Sequence, residues 1–349
     1  MYLATKKDDE NLCNEINNRF GNIYKELNKI EFAGFHEDDF LRYSYIAYTG
    51  DYSDSDIFRQ LKTDLFKKNK YDLSKIRKYV KFLELASQKY ALFYNFNFNN
   101  HLLSEISYRI IYLSNISKFI SLIISLLIKF REDELIQIFR LIELYSFKAY
   151  SIIGRKANTG ENSFKQFLYQ IYDDEINLKT LTDKMTELLQ KYGDSESFKI
   201  ALDSIDFRNE NQENSIIYMF YDYENYLLQK NKLPKLESFN EFIKKQSNQK
   251  DYKIEIEHIS PQKPKDNNPL KTLNKLGNLV IIQKFKHKDL SNKTFSNKKR
   301  KYKDNPFICV QSLCEYSKWT NAEINKRTKE LIKFCENNWN LKSNKVNNI

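Results

Sequence analysis

The stretch IEIEHISPQ at residues 254–262 decides how the carboxyl-terminal part of the chain is expected to fold. Isoleucine alternates with glutamate up to Glu257, and this period of two predicts a half-buried β-strand that ends at His258. The polar, proline-bearing residues 260–274 then indicate a loop. The sequence therefore predicts a strand that ends on an acid and a histidine.

A second apolar run follows in LGNLVIIQ at 276–283, and it predicts another strand over 279–282. The next segment, KHKDLSNKTFSNKKRKY at 286–302, has helical spacing, with Leu290 and Phe295 expected to face inward and the lysines outward. Strand, loop, strand and helix in this order are the arrangement of a ββα-metal, or HNH-type, nuclease site.

Upstream, the chain has the spacing of helices. Ile57, Leu61 and Leu65 recur every fourth residue, and only seven glycines and five prolines interrupt the 349 residues. The polar stretch 232–249 is predicted to be a hinge into the second region. We therefore expect a mainly α protein with a multi-helix N-terminal region at 1–245, followed at 246–349 by a small α+β nuclease domain of the HNH type.

The positive charge is concentrated in the second region. Residues 244–303 contain 17 Lys/Arg and 5 Asp/Glu, a net of +12, whereas the rest of the chain has 40 and 41, a net of −1. This excess is expected if the segment binds phosphates. A solvated, lysine-rich surface is the alternative interpretation.

Other classes of protein are disfavoured by composition. The four cysteines form neither a C-x-x-C pair nor a zinc-ligand spacing, which is typical of reduced thiols in a cytoplasmic protein. The most apolar run, FISLIISLLI at 119–128, has about half of the roughly twenty residues that span a bilayer, so it predicts a buried helix. We expect a soluble protein that does not enter a membrane.

The candidate catalytic residues are His258, Asn278 and His287. Hydrolysis of a phosphodiester needs an activated water and a cation that neutralises the developing charge. His258 is the candidate general base, because imidazole titrates near neutral pH. Glu257 and His287 are the candidate metal ligands, and Asn278 is placed to hold the first strand. So few protein ligands favour Mg²⁺, or a relative such as Mn²⁺, over zinc.

Each of these residues also has an ordinary structural interpretation. His258 could be a hydrogen-bonded strand-end residue, Gly277-Asn278 a turn, Glu257 a partner for a lysine, and His287 a phosphate-facing side chain. Their joint occurrence in order favours a nuclease. The alternative is a nucleic-acid-binding or sensing module that keeps an HNH-like fold without catalysis.

The strings EHISPQ, LGNLVII, H-x-x-LSN-x-x-F-x-x-KK-x-x-Y and W-T-x-x-E-I-x-x-R-T resemble the C-terminal HNH domain of GmrSD-type restriction endonucleases. Upstream, DDFLRYSYIAY at 38–48 and FKAYSIIGRKANTG at 147–160 are similar to the helical region that precedes it. The resemblance implies a DNA-cutting enzyme of prokaryotic restriction and phage defence, often directed at modified cytosines. It makes Lys298 a candidate contact to the scissile phosphate, with Asn292, Lys299 and Arg300 as further nucleic-acid-binding candidates.

The chain also departs from the family pattern. His287 stands where many relatives have Asn, and both residue types can bind a metal. No DGQQR-like string and no G-x-x-x-x-G-K-[ST] loop occurs, so nucleotide-dependent control is not encoded in this sequence. Three alternatives stay open: a stand-alone subunit, a subunit paired with a separate nucleotide-binding restriction subunit, and a truncated gene product. The paired subunit is favoured.

Overall fold

The computed structural model describes residues 10–31, 37–50, 57–67, 70–114, 116–204, 212–248, 252–261, 270–283, 290 and 292–340. Helices dominate these residues, so the prediction of a mainly α protein is confirmed. The chain forms two compact units. The first holds residues 1–108, 116–142 and 157–187, and the second holds residues 109–115, 143–156 and 188–349.

The described part of the chain before the second strand pair contains twelve α-helices and one short π-helical segment, Ser146–Ile152, that continues the seventh. The α-helices are α1 Glu10–Leu27, α2 Glu37–Thr49, α3 Ile57–Leu65, α4 Leu73–Tyr94, α5 His101–Tyr112, α6 Ile120–Lys129, α7 Ile136–Tyr145, α8 Glu161–Tyr172, α9 Leu178–Tyr192, α10 Ser195–Ser204, α11 Glu213–Lys230 and α12 Phe239–Asn248. Between α3 and α4, β1 (Phe66–Lys67) pairs with β2 (Lys70–Tyr71) in antiparallel fashion.

In the first unit, α6 is the predicted apolar helix. Its residues from Ile120 to Leu127 are all buried, which confirms the expectation of a core helix. Sequence also marks where helices begin: Asp72 caps α4 by accepting a hydrogen bond from the backbone N–H of Lys75, at 3.1 Å. None of the helices among the described residues is long and apolar enough to cross a membrane.

The second unit carries the strand pair predicted from the sequence. β3 (Ile254–His258) pairs antiparallel with β4 (Leu279–Gln283), in a register that sets Ile254 opposite Gln283 and His258 opposite Leu279. A 3₁₀ turn, Leu276–Asn278, leads directly into β4. The unit continues with α13 Phe295–Tyr302, α14 Ile308–Gln311 and α15 Asn321–Asn338.

The helix after the strands differs from the prediction in two ways. Within the described residues it begins at Phe295, because Asn292 lies in a turn and the next two residues are not helical. The lysines do not all face outward: Lys298 has no exposed surface. It follows Phe295 by three positions and precedes Tyr302 by four, and all three are buried on one face of α13.

The last helix begins at a residue type that favours helix starts. Thr320 is the N-cap of α15, and its reciprocal hydrogen bonds with Glu323 form a capping box. Ile324, Leu331 and Phe334 are buried, and their spacing places them on one side of the helix. The predicted domain division between residues 245 and 246 stays a prediction. The compact unit that contains β3 and β4 also contains residues 188–245 and two earlier segments.

Candidate active site

Glu257 and His258 are the last two residues of β3. Glu257 pairs with Val280 across the strand pair and His258 with Leu279. Because successive side chains of a strand leave on opposite sides, the carboxylate and the imidazole project to different faces of the hairpin. His258 is half-buried, and its side chain stands at the point where the strand gives way to the loop.

Asn278 is fully buried beside this strand end, and its side-chain amide is saturated with hydrogen bonds. Its Oδ1 accepts from the backbone N–H of Ser260 at 2.8 Å and from the indole N–H of Trp319 at 2.9 Å. Its Nδ2 donates to the carbonyls of Leu273, at 2.7 Å, and Ser260, at 3.3 Å. The backbone carbonyl of Asn278 also accepts from the N–H of Ile259, at 2.9 Å. Asn278 thus fixes the two residues that follow His258.

Lys298 reaches the same strand end from α13. Its ammonium nitrogen lies 2.6 Å from Oε1 of Glu257, and it also donates to the carbonyl oxygen of His258 at 2.6 Å. Lys298 is completely buried, and the Glu257 side chain is only 12% exposed. The lysine therefore neutralises the carboxylate and fixes the backbone of the histidine.

Burial opposes the charges of this pair. Loss of hydration raises the pKa of Glu257, while the attraction of Lys298 acts in the opposite direction and is the weaker effect. Burial likewise lowers the pKa of Lys298 against the attraction of Glu257. The neighbouring Tyr302 hydroxyl also has a raised pKa, because it is buried and faces the Glu257 carboxylate. Both members of the pair are thus destabilised in their charged forms.

The oxygen atoms at this strand end suit a hard cation. Glu257 Oε1 and His258 O already hold the ammonium of Lys298, so a divalent ion would compete with that lysine for the carboxylate. No cluster of three His, Cys, Asp or Glu side chains occurs in the part of the chain that the structure describes. His287, the predicted second ligand, lies outside the described residues. A carboxylate oxygen beside a backbone carbonyl is the kind of donor set that suits Mg²⁺ or Mn²⁺, and the role of Glu257 as a ligand stays a prediction.

The predicted nucleic-acid contacts have different surroundings. Asn292 and Arg300 are exposed, and Lys299 is half-buried, with its ammonium bonded to the carbonyl of Tyr316 at 2.7 Å. Lys298 has no surface available to a phosphate while it is paired with Glu257. Its predicted phosphate contact stays a prediction that requires the lysine to leave the carboxylate.

The turn that carries Asn278 is also contacted by three residues for which no individual role was predicted. Trp319 donates to Asn278 Oδ1, as described above. Arg327 Nη1 donates to the carbonyls on either side of Asn278, those of Gly277 at 2.8 Å and Leu279 at 2.6 Å. Thr328 Oγ1 accepts from the N–H of Gly277 at 3.0 Å. The C-terminal segment therefore holds the turn from its other side.

All three residues belong to the string W-T-x-x-E-I-x-x-R-T, and for two of them the helical spacing gives a second signal. Ile324, Arg327, Thr328 and Leu331 have the spacing of a single helix face, and the apolar Ile324 and Leu331 mark that face as the buried one. A polar residue on a buried face must find a hydrogen-bond partner. The pattern thus indicated that Arg327 and Thr328 have partners, although it could not show that the partner is the Asn278 turn.

The region that holds these residues is similar in sequence to restriction endonucleases. More narrowly, residues 192–334 match the family of GmrSD restriction endonucleases, C-terminal domain. The predicted resemblance is confirmed over this stretch, which includes β3, β4, α13 and most of α15. The strings at 38–48 and 147–160 lie outside it, so their resemblance stays a prediction. No curated protein matches the chain.

Proposed function

We propose that residues 246–349 form an HNH-type nuclease domain, and that the protein hydrolyses DNA phosphodiester bonds as an endonuclease or nickase in restriction and phage defence. One observation carries the proposal. The buried amide of Asn278 binds both backbone polar atoms of Ser260 and so fixes the strand end that bears the acid and the histidine. The match of residues 192–334 to a restriction endonuclease domain supports the same reaction.

In the proposed mechanism His258 takes the proton from the attacking water, for which an imidazole is suited near neutral pH. Asn278 keeps the backbone after His258 in one conformation, so that the base does not have to be ordered in each turnover. Glu257 and His287 would hold a Mg²⁺ or Mn²⁺ ion, which supplies charge neutralisation at the phosphate when bound. Arg300, Asn292 and Lys299 would bind the backbone of the DNA.

Lys298 has two successive roles in this proposal. It first acts as the internal counter-cation of Glu257, to which it is paired in the structure. If Glu257 held a divalent ion instead, the Lys298 ammonium would be free to make the predicted contact with the scissile phosphate. The exchange replaces one cation by another, so the carboxylate is never buried without a positive partner.

The second candidate function is a non-catalytic module that binds or senses nucleic acid. The closed ion pair favours it, because Lys298 occupies the carboxylate that a catalytic ion would need. Such a module would bind DNA through the basic segment in a salt-dependent way and would leave every strand intact.

Plasmid cleavage separates these two functions. The nuclease is expected to convert supercoiled DNA to nicked or linear forms with Mg²⁺ or Mn²⁺, and EDTA is expected to stop the reaction. His258→Ala should abolish cutting and retain DNA binding, whereas Glu257→Gln should raise the metal concentration needed for half-maximal cutting. Lys318→Ala, a change outside the proposed machinery, is the matched surface control. Folded, metal-supplied protein that leaves supercoiled, linear and single-stranded DNA intact would refute the nuclease.

A separate nucleotide-binding subunit is the proposed partner. The sequence contains no phosphate-binding loop of the G-x-x-x-x-G-K-[ST] type, and a separate nucleotide-binding subunit would supply that control. Cleavage of modified and unmodified phage DNA, with and without a candidate partner and nucleotide, tests this part of the proposal. Equal rates in all combinations would argue for a nuclease that acts alone.

A further inference from the structure

The indole of Trp319 determines how the amide of Asn278 is oriented. An indole N–H can only donate, so the atom that it meets at 2.9 Å must be the amide oxygen. The Ser260 N–H also donates to that oxygen, which leaves Nδ2 to donate to the two carbonyls on its other side. If the amide were turned over, its NH₂ group would face two donors and its oxygen would face two acceptors.

Trp319 is itself held in place. It is 8% exposed, and its ring packs against Phe295, the first residue of α13, at 5.3 Å between centroids and against Tyr316 at 5.0 Å. The same indole thus touches the helix that carries Lys298 and the amide that fixes Ser260. Trp319 therefore contacts both elements that reach the end of β3, namely α13 and the turn that carries Asn278.

Arg327 acts on the turn itself. One guanidinium nitrogen binds the carbonyls of Gly277 and Leu279, which flank Asn278 on both sides. A charged donor makes stronger hydrogen bonds than a neutral one, and Arg327 is only 4% exposed, so water competes little. The backbone of residue 278 is therefore fixed from α15.

We infer that Trp319 and Arg327 are positioning residues for the His258 site. They fix the amide and the backbone of Asn278, and Asn278 in turn fixes the loop that begins after His258. Trp319 and Arg327 thus affect the catalytic rate through Asn278. The inference rests on the proposed nuclease function for its kinetic consequence, whereas its structural consequence can be measured without any cleavage.

The chain offers a matched control, because it has two tryptophans and both are buried. Trp339 lies just beyond α15, and its indole N–H donates to the Tyr218 hydroxyl at 3.2 Å. Trp319→Phe and Trp339→Phe each remove one buried indole donor and keep an aromatic ring. Only the first change removes a partner of Asn278.

The experiment measures both kinetics and local structure in the full chain. Trp319→Phe is expected to lower kcat for plasmid cleavage about tenfold, the effect of losing one hydrogen bond from the positioned state, with KM for DNA unchanged. Trp339→Phe is expected to leave kcat within about twofold. In hydrogen exchange, the amide of Ser260 should exchange faster in Trp319→Phe than in Trp339→Phe.

A third variant tests Arg327 without deleting its charge. Each tryptophan contributes one indole signal to a ¹H–¹⁵N spectrum, and the two phenylalanine variants assign them. Arg327→Lys is expected to shift the Trp319 signal and leave that of Trp339 in place. Equal losses of kcat in the two phenylalanine variants, or unchanged Ser260 exchange in Trp319→Phe, would overturn the inference. Inactive wild-type protein would instead refute the nuclease, and the exchange and spectral results would still decide the positioning role.

Discussion

The ammonium of Lys298 lies 2.6 Å from Oε1 of Glu257, and this ion pair is buried beneath the strand end that bears His258. Such a pair adds little stability compared with apolar residues of the same size, because both charges lose their hydration. Removing one partner is expected to cost much more stability, because the other charge is then left buried without a partner. The pair is therefore the most sensitive point of the site.

Lys298→Met is expected to lower the free energy of unfolding by about 3–5 kcal/mol, because it strands the Glu257 carboxylate. Adding Glu257→Gln should recover most of that loss. Urea denaturation of the wild type, both single variants and the double variant gives the coupling energy. Lys299→Met is the control: it is the next residue on α13, and loss of its bond to the Tyr316 carbonyl should cost about 1 kcal/mol. Equal effects of the two lysine variants would show that the ion pair is unimportant.

The same pair predicts how stability changes with pH. Burial raises the pKa of Glu257 in the folded protein, so the folded state holds this proton more tightly than the unfolded state. The stability from this proton is present below the ordinary carboxylate pKa of 4.5 and is lost as pH rises towards the folded value. Relative to the Glu257→Gln/Lys298→Met double variant, the wild type should therefore lose stability with increasing pH in this window. A parallel or opposite slope in urea denaturation across the acid range would contradict the prediction.

A comparison of β3 with the Glu257–Lys298 ion pair shows what the sequence could predict. β3, its end at His258 and the Thr320 cap are encoded by neighbouring residues, and the structure contains each of them. The burial of Lys298 depends on Glu257, some forty residues earlier, so lysine-rich composition alone suggested an exposed face. Its spacing from Phe295 and Tyr302 indicated that it lies on the buried face of α13, but the many neighbouring lysines favoured an exposed helix.

The burial and hydrogen-bond partners of Asn278 were harder to predict from the sequence. The dipeptide Gly277-Asn278 is typical of an exposed turn, yet the amide is buried and has partners at residues 260, 273 and 319. Only the packing of α15 against the turn brings these groups together, and local propensity carries no information about such contacts. The predicted role of Asn278, that of holding the first strand, stays a prediction that its bonds to Ser260 support.

Asn278→Asp tests the orientation of the amide. The change places an oxygen against the carbonyls of Leu273 and Ser260, which now accept hydrogen bonds from Nδ2. A buried charge facing two acceptors is expected to lower the free energy of unfolding by about 3 kcal/mol or more. Thermal and urea denaturation measure this, with Asn297→Asp, an exposed site on α13, as the control within about 0.5 kcal/mol of wild type. If both substitutions cost the same, the amide is not held as described.

Two glycines should respond to alanine in opposite ways. At Gly277 a methyl group would fall 2.7 Å from the backbone nitrogen of Thr328 and closer still to the carbonyl of Ile324, so α15 would be displaced from the turn. Overpacking of this kind costs about 1–3 kcal/mol, and moving Arg327 away from Asn278 should also slow cleavage. At Gly21, inside α1, nothing lies within 4 Å of the added methyl group, and Gly21→Ala should stabilise the protein by up to about 1 kcal/mol. Urea denaturation gives the sign of each change, and a Gly277→Ala protein as stable and active as the wild type would show that close contact between α15 and the turn is dispensable.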